Sequence, residues 1–224
     1  MNVLLFLGTA IALAGLALAA LLSLIGRQRI RAAVFGVVGA AWGGVYGAGL
    51  LFTSLTSRQM VLHPGETKYF CGFYLDCHIG VAVVGDSVVS GIGGAPARGR
   101  FHVVTLQFSN SALRATLRPY DLRLAMIGPD GRRFQRDEHA EDLLAGPAGH
   151  DPLARDIIPG GSYTAQVVFD VPEDAAPARL FVGEGLGIDR VIEAVLIGDE
   201  DSFMHRKVLL ALPPTPVALA PSRR

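Results

Sequence analysis

The nine residues Tyr163–Val171, "YTAQVVFDV", decide the fold. Tyr163, Ala165, Val167, Phe169 and Val171 fall on one side of an extended chain, and Thr164, Gln166 and Asp170 on the other. Successive side chains of a strand point to opposite faces, so a period of two predicts a half-buried β-strand rather than a helix. The run is punctuated on both sides. "IPGGS" (158–162) supplies turn residues ahead of it, and Pro172 in "DVPED" stops it, because proline cannot continue a central ladder.

The same alternation recurs along the second half of the chain. "YDLRLAMI" (120–127) puts Tyr120, Leu122, Leu124 and Met126 on one face, and "FHVVTLQFS" (101–109) does so with Val104, Leu106 and Phe108. "RVIEAVLIG" (190–198) aligns Ile192, Ala194 and Leu196, while "HIGVAVVG", "ARLFV" and "HRKVLLAL" are weaker strands. About seven short strands separated by turns such as "GPDGRR" predict an all-β antiparallel sandwich of the immunoglobulin-like kind. One short helix is expected in "DEHAEDLLAG", with acidic residues in its first turn and Gly146 after it. "SGIGGAPARG" (90–99) reads as a mobile loop, and residues 213–224 as a proline-rich tail.

The first quarter of the chain follows a different rule. Val3–Ile25 and Ala32–Leu55 are uncharged and apolar, and at ~1.5 Å per helical residue each is long enough to cross a hydrocarbon layer of ~30 Å. The expected organisation is therefore a transmembrane hairpin over 1–57, a sandwich over 58–212 and the tail beyond it. Arg27, Arg29 and Arg31 lie between the spans, and the positive-inside rule keeps that short loop in the cytoplasm. The sandwich is then expected outside the cytoplasmic membrane, periplasmic or extracellular. Gly39, Gly43 and Gly47 recur every four residues on one face of the second span, where a partner backbone can approach closely. Intramolecular helix packing and homodimerisation both fit that face.

Lysine plus arginine and aspartate plus glutamate each number 20, so the chain lacks the basic excess that nucleic-acid binding uses to neutralise phosphates. The expected partners are the lipid bilayer and a protein, with no cofactor.

Three blocks, "RGRFHVVTLQFSN", "YDLRLAMIGPDGRRF" and "IIPGGSYTAQVVFDVPEDAAPARLFV", resemble the successive signature segments of an uncharacterised bacterial family of membrane-anchored, extracytoplasmic immunoglobulin-like domains of unknown function. "FCGFYLDCH" and "IGDEDSFMHRKVLLAL" are similar to further segments of its members. The resemblance implies a fold and an address, and no activity.

The remaining chemistry centres on Cys71 and Cys77, the two cysteines of the chain, with His78 next to the second. On one straight strand the pair would lie ~20 Å apart at ~3.3 Å per residue, so a disulfide requires "GFYLD" to fold back. An oxidising location favours that bond. The alternatives are two free thiols, or a copper or zinc site in which Met204 or His205 joins Cys71, Cys77 and His78. Ser87, in "GDSVVSG", lacks a following Asp-x-x-His to supply a base, and Asp199, Glu200 and Asp201 form a solvated acidic turn more readily than a calcium site. The expectation is a non-enzymatic binding or structural module.

Overall fold

In a computed structural model, the structure describes residues 2–70, 77–146, 153–175, 178–183 and 188–213. The chain divides into two compact units, one from 1–59 with 186–207, the other from 60–185 with 208–224.

The first unit holds two long helices, α1 (Asn2–Ile25) and α2 (Arg29–Leu55). The turn between them is only three residues, 26–28, and Arg27 takes a left-handed φ of 57° to close it. Gly39 and Gly43 face Leu16 and Leu13 of α1, where an added Cβ would sit 3.8 and 4.0 Å from the leucine carbons, whereas Gly47 meets nothing within 4 Å. Ile11, Leu22, Val45 and Phe52 are exposed, so the helices show their apolar side chains outward.

The second unit is a β-sandwich. One sheet has strands β1 (Val61–Leu62), β5 (Arg123–Ile127), β6 (Arg133–Gln135), β8 (Arg179–Gly183) and β9 (Leu209–Ala211), in the order β1-β9-β8-β5-β6. The other has β2 (Lys68–Phe70), β3 (Ile79–Ile92), β4 (Ala95–Asn110) and β7 (Ser162–Val171), in the order β2-β3-β4-β7. Between them lie Val83, Val104, Leu106, Phe108, Val167 and Phe169 from the second sheet and Leu124, Met126, Leu180 and Val182 from the first. The apolar faces read from Tyr163–Val171 and from 101–109 are thus core faces. Pairing is antiparallel except at the rim, where β1 lies parallel to β9 over two residues.

Helix α3 (Glu138–Ala145) covers the outer side of the four-stranded sheet, where Ala140 joins Ile92, Phe101, Val103 and Val168 in a second apolar cluster. Asp137 caps it by accepting from the Ala140 N–H at 3.0 Å.

Two expectations are corrected. "SGIGGAPARG" is not a loop: β3 and β4 run through it and reverse at Gly93 and Gly94, whose φ values of 57° and 87° suit the tight hairpin turn that matches strand twist. "RVIEAVLIG" is not a strand: it starts within α4 (Ile188–Glu193) and continues as turns, grouped with the two long helices instead of the sandwich. Ile188, Val191, Ile192 and Val195 recur at three- and four-residue spacing as readily as Ile192, Ala194 and Leu196 alternate, and short apolar runs do not distinguish the two periods.

Candidate functional site

The outward face of the five-stranded sheet carries an unusual set of side chains. On β5, Arg123, Ala125 and Ile127 alternate with the core residues Leu124 and Met126, and the register sets Ala125 opposite both Phe181 of β8 and Gln135 of β6. Arg123 pairs with Gly183, and Ile127 with Arg133. A Cβ on Gly183 would lie 2.9 Å from the Phe181 ring and 3.5 Å from Arg123 Nη2, so glycine lets both groups settle over the strand. The Arg133 guanidinium lies 5.6 Å from the centre of the Phe181 ring, within cation–π range.

These residues line a cavity of about 380 Å³, and a wider cleft of about 660 Å³ adjoins it by sharing Arg133, Gln135, Arg136 and Glu138. Most carboxylates along it are engaged. Asp170 accepts the backbone N–H groups of Arg98 and Gly99, each at 2.9 Å, Asp137 caps α3, and Glu141 of α3 holds Arg136. Among the described residues neither Arg123 nor Arg133 has an ion-pair partner, and Arg123 Nε is buried without a hydrogen bond. A buried donor left unmade costs about 1–3 kcal/mol, and more when charged. The trough therefore offers guanidinium donors to an anionic group, with the buried Phe181 ring packed beneath Arg133.

The residues singled out from sequence are not gathered into one site. Cys77 and His78 are exposed ahead of β3, with His78 Nδ1 3.1 Å from Ser111 Oγ, and Cys71 lies outside the described residues. Met204 and His205 belong to the other unit. The described residues contain no group of three or more His, Cys, Asp or Glu able to hold a metal. Ser87 stands opposite Val103 on the outer face, whereas the nearest His–Asp pair, His102 Nδ1 to Asp86 Oδ2 at 2.9 Å, involves the neighbouring, oppositely directed positions. Ser87 thus has no base from that pair. In the acidic turn, Lys207 Nζ donates to the Glu200 carbonyl at 2.8 Å and to Asp201 Oδ1 at 2.5 Å, while burial raises the pKa of Asp199 above the usual carboxylate range.

Sequence reasoning missed the trough, the Asp86–His102 pair and the Arg136–Glu141 pair. The outward positions Arg123, Arg133 and Phe181 were available from the alternation, but their adjacency depends on strand order, which is not local.

No protein-family model matches the chain, and no curated protein sequence is similar to it. Solved structures of similar shape include the yjhA protein of Bacillus subtilis, at 12% identity, with 68% of this chain and 99% of that one covered and a TM-score of 0.44. MPT63, a secreted protein of Mycobacterium tuberculosis, is 15% identical over 70% of this chain and 99% of its own, with a TM-score of 0.43. An uncharacterised β-sandwich protein of Clostridium difficile is 9% identical over 70% and 96%, with a TM-score of 0.37. What the structure itself shows of the expected organisation is coarser: two long apolar N-terminal helices and a β-sandwich of two sheets.

Proposed function

We propose that the chain is a non-enzymatic, membrane-anchored binding module: an immunoglobulin-like sandwich held outside the cytoplasmic membrane by the α1–α2 hairpin. The observation that carries this reading is the outward display of apolar side chains along both helices, with 11% and 0% of their most apolar windows buried. A core helix of a soluble protein would cover that surface, whereas lipid chains match it. The arginines at 27, 29 and 31 favour a cytoplasmic turn, so the sandwich faces outward. There, the Arg123–Arg133–Phe181 trough recognises a carboxylate- or phosphate-bearing partner.

Three measurements test this. Protease added to spheroplasts is expected to digest the sandwich portion while a cytoplasmic control survives; protection of the sandwich would reverse the topology. In the same preparation Cys71 and Cys77 are expected to resist alkylation until reductant is added. For the trough, Arg123→Gln together with Arg133→Gln in the full chain should weaken binding of pyrophosphate about tenfold or more, given ~1.5–3 kcal/mol for a hydrogen bond to a charged group. Equal binding by the parent and the double variant would exclude the trough as an anion site.

A further inference from the structure

We propose that residues 191–204 form a lipid-dipping element, seated in the interfacial layer of the bilayer beside the C-terminal end of α2. The proposal rests on the membrane-anchor reading and adds a second attachment, made by a segment far from the helices in sequence.

The chain returns to α2 at two points and to the residues just after it at two more. Tyr46 Oη donates to the Val195 carbonyl at 2.8 Å, Ile197 Cδ1 lies 3.4 Å from where a Cβ on Gly49 would be, Ser57 Oγ accepts from the Arg206 N–H at 3.0 Å, and Gln59 donates to the Lys207 carbonyl. From Tyr46 to Leu55, the end of α2, the rise is ~14 Å at ~1.5 Å per residue, so the segment runs along the last turns of the helix. A hydrocarbon layer of ~30 Å measured from Ala32 ends roughly twenty residues later, close to Phe52. Val195 and Ile197 then meet the helix ~5–9 Å below that boundary, a depth typical of interfacial apolar faces. Arg206 and Lys207 meet Ser57 and Gln59 just beyond the end of the helix, at headgroup level. The apolar contacts lie below the cationic residues, the order of a bilayer, with the acidic turn Asp199–Asp201 between them in the chain.

Val191 (67% exposed), Val195 (36%), Phe203 (56%) and Met204 (60%) are displayed, while Glu193, Leu196 and Ser202 are buried. The Phe203 N–H donates to the Ala194 carbonyl at 2.8 Å, which brings Phe203 to the level of Val195. Met204 completes the turn at a left-handed φ of 64°, a conformation that costs a non-glycine residue energy and holds two large apolar side chains outward. A second copy or a protein partner would cover such a patch too, but the continuity of the patch with a lipid-facing helix selects the bilayer.

The test uses the full chain reconstituted into vesicles containing brominated phospholipids. Trp42, the single tryptophan, reports on α2, and Phe203→Trp in a Trp42→Phe background reports on the segment; Phe203 is exposed, so the fold tolerates the change. We expect blue-shifted emission from the variant and stronger quenching by bromines near the glycerol than by bromines near the chain ends. Quenching of Trp42 with none in the variant would overturn the lipid-dipping element and leave the anchor standing. Blue-shifted but unquenched emission from the variant would mean coverage by protein and would also overturn it. No quenching of Trp42 would remove the anchor reading itself, and the inference with it.

Discussion

Glu141→Ala is expected to destabilise the sandwich by about 3–5 kcal/mol, the range for removing one partner of a buried ion pair. The Glu141 side chain is 2% exposed and binds Arg136 with both oxygens, Nε to Oε1 at 3.0 Å and Nη2 to Oε2 at 2.5 Å. Oε1 also accepts the Val168 N–H at 3.0 Å, on the edge strand β7. Alanine therefore strands a half-buried guanidinium and a backbone donor together. The carboxylate is also part of how α3 closes the edge of β7, since the Val168 carbonyl accepts from the Asp137 N–H at 2.8 Å. An open edge invites pairing with another chain, so aggregation should accompany the loss of stability. Thermal or urea unfolding of the detergent-solubilised chain measures the first effect. The double variant Arg136→Met, Glu141→Leu should recover much of the loss, because no uncompensated charge is then buried. A single variant that lost under about 1 kcal/mol would mean that the pair is solvated like a surface salt bridge.

This pair also shows where sequence reading stops. Arg136 and Glu141 are five residues apart, a spacing that matches no helix-face rule because the arginine precedes α3 and points back onto it. Alternation within a strand, by contrast, is a local property. Val104, Leu106, Phe108, Val167 and Phe169 could all be placed in the core from period two alone. The β3–β4 hairpin escaped because four glycines and a proline from Ser90 to Gly99 outweighed the alternation that continues through them. Composition describes average behaviour, whereas here the glycines serve a reversal and a close approach: a Cβ at Gly99 would sit 2.4 Å from the Val171 carbonyl oxygen. Residues 190–198 failed for the opposite reason, since their apolar spacing fits both periods and only contact with α2 decides between them. The trough required strand order, which no window of sequence contains.

Asn110→Asp should be more damaging than Asn110→Ala at neutral pH, and its stability should fall as pH rises. Asn110, at the end of β4, is buried and fully used. Its Nδ2 donates to the carbonyls of Ala115 and Ile157, each at 2.8 Å, and its Oδ1 accepts the Ala112 N–H at 2.8 Å. Its backbone bonds Gly161 and Gly160, both at 3.0 Å, so one residue ties β4 to the loop after it and to the turn before β7. Alanine leaves the Ala115 carbonyl and the Ala112 N–H without that partner, while the Ile157 carbonyl keeps the Leu117 N–H at 3.0 Å. The buried Ala112 N–H, stranded at about 1–3 kcal/mol, sets the expected cost, because the carbonyl of the exposed Ala115 can turn to water. Aspartate retains the acceptor but aims a charged oxygen at two carbonyls that previously received a donor. Desolvation and that repulsion favour its protonated form, which raises the folded-state pKa above the ordinary ~3.9. A carboxyl with a raised folded pKa binds more protons folded than unfolded, so stability is retained below the unfolded value and lost as pH climbs through the folded one. Unfolding midpoints of both variants between acidic and neutral pH measure this directly. A flat profile for Asn110→Asp that tracked Asn110→Ala would mean that water reaches the position and that the corner is not the closed hydrogen-bond junction described.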